Sequence, residues 1–192
     1  MTKASNRTTA PANQIGVLGT QRAAAAAPPG PSCGDFDIRI ARDGTWYYRG
    51  SPIGRPALVK LFASVLRRDE AGDHWLVTPA ERGRIRVEDA PFTAVELSVE
   101  GSGREQALTF RTNLDELVTA SSAHPIRLSP KGPNDEPRPY LLVRERLEAL
   151  IARPVYYQLV ELGVEGPSSE EALFGVWSRG AFFALGTLEE GR

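Results

Sequence analysis

The first regular pattern along the chain is strict alternation of apolar and polar residues. Phe36, Ile38 and Ile40 alternate with charged residues, which is the period of a strand with one buried face. A turn signal at 41–44 follows, and Trp46 begins an aromatic stretch that is typical of a returning strand. The pattern therefore predicts a β-hairpin.

Two stretches with helical spacing each follow an Arg-Pro pair. Arg55-Pro56 precedes apolar residues that predict a helix from Pro56 to about Arg68, because proline suits the first turn of a helix. Arg138-Pro139 precedes a second apolar stripe, which predicts a helix from Pro139 through Ile151 and a strand over 155–162. The two segments thus look like copies of one unit.

Shorter patterns complete the prediction. Thr78–Glu81 has the spacing of a capping box and predicts one helical turn, and a short helix is expected over Leu114–Ala120. Other stretches are predicted to be extended strands, and two of them, 84–89 and 91–101, show the alternating pattern. The remaining predicted strands cover 74–78, 106–112, 125–129, 173–178 and 182–186. We expect an α+β fold of two strand-rich domains, each with one main helix, related as an internal duplication.

The predicted division places residues 34–100 in the first domain and 101–192 in the second. Residues 1–33 contain scattered apolar residues, an alanine run and several prolines, a composition that predicts a disordered tail. No stretch has the roughly 20 apolar residues of a membrane span or the core of a signal peptide. These features lead us to expect a protein of the cytoplasm.

Charge and cysteine content narrow the possible partners. The formal net charge of −1 gives no reason to expect nucleic acid or an anionic membrane as a partner. Cys33 is the single cysteine, so an intrachain disulfide is excluded, and no Cys/His cluster indicates a metal. We predict no cofactor and no metal site.

Several motifs in one order resemble the bacterial family called domain of unknown function 1285. The motifs are "DGTWYYRGSPIGRPALVKLFASVLRRD", "HWLVTPAE", "IRVEDAPF", "PRPYLLVRERLEALIAR" and "VWSRGAFFALG". The resemblance covers about residues 34–186. It implies a two-domain α+β protein with repeated motifs and no established activity, for which a signalling or ligand-binding role has been suggested. It implies no catalytic residues.

The leading candidates for chemistry are the arginines at the two predicted helix starts. Arg55 and Arg138 would each lie against the positive end of a helix dipole, where backbone amides and a guanidinium can together hold a phosphate or carboxylate. The alternative, which is the more common arrangement, is a structural ion pair with an internal carboxylate. The available carboxylates are those of Asp43, Glu88, Asp89 and Glu136.

Aromatic residues and Arg-Gly steps recur in both halves. Arg49-Gly50 and Arg179-Gly180 follow aromatic stretches, and glycine permits close backbone approach to another group. An outward aromatic beside either arginine could form a recognition surface, whereas core packing is the alternative for most aromatics. We therefore predict a ligand site. Its residues are Arg55, Arg138, Arg49, Arg179, Asp43, Trp46 and His74.

Three classes of function remain open. The first is a non-enzymatic binding or signalling module for an anionic small molecule or acidic peptide near the interdomain region. The second is a hydrolase or transferase acting on a phosphorylated or carboxylated substrate, with His74 and a carboxylate such as Asp43 or Glu88 as acid and base. It is favoured if His74, two carboxylates and an arginine line one pocket. The third is a structural module that binds a protein partner.

Overall fold

The computed structural model describes residues 32–129, 137–167 and 172–187. Within these ranges the chain forms fifteen strands, two α-helices and one short 3₁₀ turn. The predicted disordered tail lies outside the described residues up to position 31, and so does Glu136. Among the helices of the described part, none is long and apolar enough to cross a membrane.

The first sheet has six strands in the order β3-β2-β1-β6-β5-β4. Its central strands β1 and β6 run parallel, and all other neighbours are antiparallel. Helix α1, Pro56–Ser64, connects β3 to β4. The strands are β1 (Ser32–Ile40), β2 (Trp46–Tyr48), β3 (Ser51–Pro52), β4 (Leu66–Arg68), β5 (His74–Val77) and β6 (Arg82–Val87).

The second sheet repeats this strand order. Its order is β10-β11-β12-β7-β8-β9, so again two three-stranded antiparallel units meet through a parallel pair formed by the first and last strands, β7 and β12. No helix lies between its two units; α2, Arg153–Glu161, follows the sheet. The strands are β7 (Phe92–Glu100), β8 (Ala107–Thr112), β9 (Leu117–Thr119), β10 (Ile126–Ser129), β11 (Arg138–Arg144) and β12 (Leu147–Ile151).

A small third sheet and α2 pack on the second sheet. Strands β13 (Val164–Glu165), β14 (Leu173–Ser178) and β15 (Ala181–Thr187) form it in sequence order. Helix α2 contacts β7 and β14. One hydrophobic cluster includes residues from both large sheets and both helices, so the two halves share a core. The α+β fold class with two strand-rich units and one helix in each half is confirmed.

The predicted helix from Pro139 through Ile151 is wrong. This segment forms the antiparallel strands β11 and β12, in which Leu147 and Ala149 are completely buried. In β11 the consecutive residues Pro139, Tyr140 and Leu141 are all buried. Such a strand has a nearly continuous apolar sequence, which periodicity alone does not separate from a buried helix. The helix of this half begins at another Arg-Pro pair, Arg153-Pro154, where a strand was expected.

Three shorter predictions also differ from the structure. Thr78–Glu81 forms a turn in which the Thr78 N–H donates to the Glu81 carbonyl at 2.9 Å, instead of a helical turn. Leu114–Ala120 contains β9 instead of a helix. Helix α1 ends at Ser64, because Leu66–Arg68 pairs with β5.

Residues 92–100, assigned to the first domain from sequence, form β7 of the second sheet.

Candidate functional site

An apolar groove of about 550 Å³ lies between α1 and the first sheet. Strands β1 and β5 contribute Phe36, Ile38 and Leu76 to its lining, and α1 contributes Leu58 and Phe62. Phe36 and Ile38 come from the predicted hairpin, and Leu58 and Phe62 come from the first predicted helix. The volume lies in the range of pockets that hold small molecules.

Two local backbone features position the elements that line this groove. Pro56 occupies the first turn of α1, where its missing N–H has no helical partner to lose. On β6, Gly83 lies directly against Phe36: a Cβ at Gly83 would come within 2.4 Å of the Phe36 ring. The glycine therefore lets the ring pack against the strand backbone.

Arg55 supplies the groove's positive charge. It is exposed, occupies the N-cap position of α1 without a side-chain cap bond, and is the one charged residue among the described residues that line the groove. Its guanidinium forms no hydrogen bond or ion pair within the described ranges. The positive end of the helix dipole gives it no compensation. Among the described residues, Arg55 therefore has no anionic partner.

The preceding aromatic stretch forms one side of the same groove. Tyr48 lines it and is 47% exposed. The Arg49 guanidinium lies over the Tyr48 ring, with Cζ 5.2 Å from the ring centroid. Trp46 is 2% exposed and stacks on Phe62 with ring centroids 6.4 Å apart. Trp46 therefore supports the groove from the core and is not on its surface.

Arg138 does not resemble Arg55 in its surroundings. It is the first residue of β11, and its guanidinium donates to Asp89 at 2.5 Å. The Tyr140 hydroxyl donates to the same carboxylate at 2.7 Å. Burial, followed by this hydrogen bond, raises the pKa of Tyr140 to about 12. The internal ion pair is therefore the arrangement at Arg138, and the expected helix start there is wrong.

The two Arg-Gly steps are hairpin turns. Arg49 and Gly50 have φ of 48° and 78°, and Arg179 and Gly180 have φ of 50° and 75°. Two positive φ values are what a type I′ turn requires, and glycine at the second position meets that requirement. The backbone N–H of Arg179 also donates to the Gln106 carbonyl at 2.8 Å, which ties the second turn to the chain before β8.

Asp43 lies in the β1–β2 turn and not in the groove. Its Oδ1 accepts the Thr45 N–H at 2.9 Å, and this bond lowers the Asp43 pKa. The next residue, Gly44, faces the second half: a Cβ there would come within 2.8 Å of the Asn113 side chain and 3.1 Å of the Thr93 hydroxyl. The turn's position indicates a structural role.

His74 lines a separate groove of about 420 Å³ together with Asp35, Asp73 and Arg84. Burial, with a further contribution from the Arg68 charge, lowers the pKa of His74 to about 4. Arg84 donates to Asp35 at 2.8 and 3.2 Å, which lowers the Asp35 pKa. The histidine, two carboxylates and an arginine do line one groove, but the carboxylates already bind the arginine.

The acid and base partners named for His74 from sequence lie elsewhere. Neither Asp43 nor Glu88 is among the described residues that line its groove. Glu88 instead accepts from Arg39 at 2.6 Å. No group of three or more His, Cys, Asp and Glu side chains suited to a metal occurs in the described part of the chain.

The structure brings together only part of the predicted site. Arg55 and Arg49 lie at or beside the apolar groove, and Trp46 lies beneath it. The residues placed elsewhere are Arg138, Arg179, Asp43 and His74. The sequence analysis missed the groove lining, because Phe36, Leu58 and Phe62 carry the same apolar pattern as ordinary core residues.

Comparisons with known proteins agree with this two-part α+β architecture. Residues 27–90 match the N-terminal domain of a family described as "domain of unknown function (DUF1285)". Residues 91–185 match its C-terminal domain, described as "protein of unknown function (DUF1285)". The chain belongs to the DUF1285 family. No curated protein matches it.

Two crystal structures of DUF1285 family proteins are similar to this chain. The protein from Silicibacter pomeroyi DSS-3 is 49% identical, with a TM-score of 0.78 over 84% of this chain and 86% of that one. The protein from Shewanella baltica OS155 is 26% identical, with a TM-score of 0.51 over 66% of this chain and 91% of that one. These similarities establish family and fold.

Proposed function

We propose that the protein is a non-enzymatic binding module that recognises an anionic small molecule at the groove beside α1. The observation that carries this proposal is the Arg55 guanidinium, which has no partner among the described residues and is the one charged group of a mainly apolar groove. A signalling role is part of this proposal, because a ligand that binds one conformation of a module shifts the population toward that conformation. The single cysteine is compatible with the cytoplasm as the place where it acts.

The guanidinium, and not the helix amides, is the main anion-binding group. Pro56 has no N–H, and the Leu58 and Val59 N–H groups donate to the Arg55 carbonyl at 3.0 and 3.2 Å. The first turn therefore offers few amides to a ligand. Arginine suits the role because its planar donors bind a carboxylate or phosphate in two parallel hydrogen bonds.

An Arg55→Met variant tests the proposal. Methionine keeps the unbranched side chain and removes the charge. Anion binding, found by a thermal-shift screen and measured by calorimetry, should weaken by about 10- to 100-fold, the effect of one charged hydrogen bond, while the free protein keeps its stability. Lys60→Met is the matched control, because Lys60 lies on the same helix and pairs with Asp115 at 2.6 Å. Lost stability with unchanged binding would refute the proposal.

A second candidate is a hydrolase or transferase centred on His74. The observation in its favour is that Asp35, Asp73 and Arg84 line the same groove as His74. The Asp35–Arg84 pair, however, leaves that carboxylate without a free role as acid or base. Turnover of phosphate or carboxylate esters that disappears in His74→Asn would support this candidate over the binding module.

A further inference from the structure

The residues that line the groove also indicate which uncharged group is attached to the anionic group of the ligand. Resting on the function proposed above, we propose that the ligand is an alkyl carboxylate: an unbranched hydrocarbon chain that lies in the groove, with one carboxylate at Arg55. The juxtaposition of one unpaired cation and a long apolar surface is the basis. It fits neither a bare inorganic anion nor a highly charged metabolite.

The part of the groove between β1, β5 and α1 is unsuitable for a charged group of the ligand. Its lining between β1, β5 and α1 consists of aliphatic and aromatic side chains, including Ile38, Leu58, Phe62 and Leu76. A second anionic group placed among them would lose its hydration without gaining a partner. A hydrocarbon chain would gain from the same environment, because each buried methylene strengthens binding by about three- to fourfold.

The mouth of the groove is suitable for a carboxylate. Arg55 is exposed there, so a headgroup can keep part of its hydration while it accepts two hydrogen bonds from the guanidinium. Tyr48 beside it is half exposed, and its ring can cover the first carbons of the chain. Charge complementarity and apolar surface therefore select one kind of ligand, an amphiphile with a single anionic group.

A chain-length series tests the inference. Hexanoate, octanoate and decanoate, all below their micelle concentrations, are titrated by calorimetry beside acetate, phosphate and decanol. We expect affinity to rise about threefold or more per methylene until the groove is full. Decanol should bind about 10- to 100-fold more weakly than decanoate, and Arg55→Met should bring decanoate to the level of decanol without changing the binding of decanol.

A pair of helix variants locates the chain. Leu58 lines the groove, whereas Leu61 on the same helix is 60% exposed and is not among the groove's lining residues. Leu58→Glu should abolish decanoate binding, because the new carboxylate occupies the groove next to Arg55. Leu61→Glu should leave binding unchanged. Circular dichroism and thermal unfolding of both variants show whether the fold is retained.

The possible failures of the two proposals are distinguishable. Equal affinity for acetate, phosphate and decanoate, all lost in Arg55→Met, would overturn the alkyl inference and leave the anion site standing. Binding of decanoate that is unaffected by Arg55→Met would overturn both. Undiminished binding to folded Leu58→Glu would place the ligand elsewhere and overturn the inference. Binding only to vesicles of anionic phospholipid, with no response to free decanoate, would also overturn it.

Discussion

The two large sheets have the same strand order, but Arg55 in the first half and Arg138 in the second have different surroundings. In the first, Arg55 has no partner among the described residues and lies beside an apolar groove. In the second, Arg138 binds Asp89, Arg127 binds Glu148 through two hydrogen bonds, and Arg144 binds Glu116. Both halves contain ion pairs, such as Arg84–Asp35 in the first. The first half differs in that it also has an arginine with no partner among the described residues, at the edge of an apolar groove.

The position of the helix explains much of this difference. In the first half α1 connects the two three-stranded units and packs across the sheet, which leaves the groove between helix and strands. In the second half a short turn makes that connection, with Ser121 and His124 forming a β-bridge. Helix α2 instead packs on β7 and β14. In the first half the helix therefore forms one side of a groove, whereas in the second half a short turn takes the place of that helix.

The largest expected difference between the halves concerns their cores. Leu147 of β12 is completely buried, so Leu147→Ala should lower the free energy of unfolding by about 3 to 5 kcal/mol. Phe62 of α1 is only partly buried and borders the groove, so Phe62→Ala should cost less, about 1 to 3 kcal/mol. Urea denaturation measures both, and a Phe62 cost equal to that of Leu147 would argue against an open groove.

Removal of the paired arginine should have the next largest effect. Arg138→Met leaves the Asp89 carboxylate, whose side chain is 11% exposed, with the Tyr140 hydroxyl as its one hydrogen-bond partner among the described residues. The variant should cost about 2 to 4 kcal/mol, since an uncompensated buried charge is destabilising. Arg55→Met should change the stability of the free protein little. Similar losses in the two variants, measured by urea denaturation, would remove the contrast between the halves.

Acid should weaken the first half through His74. Its pKa in the native state, about 4, lies below its usual 6.5, so the unfolded chain binds the proton more readily and stability falls as the pH drops below 6.5. After allowance for partial solvent access, the loss between pH 6.5 and pH 5 should be about 0.5 to 1.5 kcal/mol. Denaturation across this range should show a weaker pH dependence in His74→Asn; identical slopes would contradict the prediction.

The sequence predicted the first half well because its signals are local. The alternation from Phe36 to Ile40 and the proline at position 56 each specify their element within a few residues. The second half is decided by tertiary context. Strand β11 lies inside a sheet, and its consecutive buried residues Pro139, Tyr140 and Leu141 produce an apolar run that resembles a buried helix. For the same reason, the sequence analysis placed the start of the second helix at Arg138-Pro139, whereas the helix begins at Arg153-Pro154.

The candidate site was only partly predictable for a similar reason. Charge patterns identified Arg55, because arginine at a helix start needs an explanation that can be seen in one short stretch. The groove depends on the distance between Leu58 of α1 and Ile38 of β1, residues far apart in sequence. No local pattern distinguishes an apolar residue that lines an open groove from one that fills a core.

The smallest expected effect concerns the two Arg-Gly turns and separates geometry from recognition. Both arginines have a left-handed backbone, a conformation that costs most residues about 1 to 2 kcal/mol and that asparagine tolerates better. Arg49→Asn and Arg179→Asn should therefore each raise the free energy of unfolding by roughly 0.5 kcal/mol. Only Arg49 lies beside the groove, over Tyr48. If its charge assists the ligand, Arg49→Asn should weaken decanoate binding severalfold while Arg179→Asn does not. Equal binding by both variants, measured by calorimetry, would restrict anion recognition to Arg55 and leave Arg49 as a turn residue.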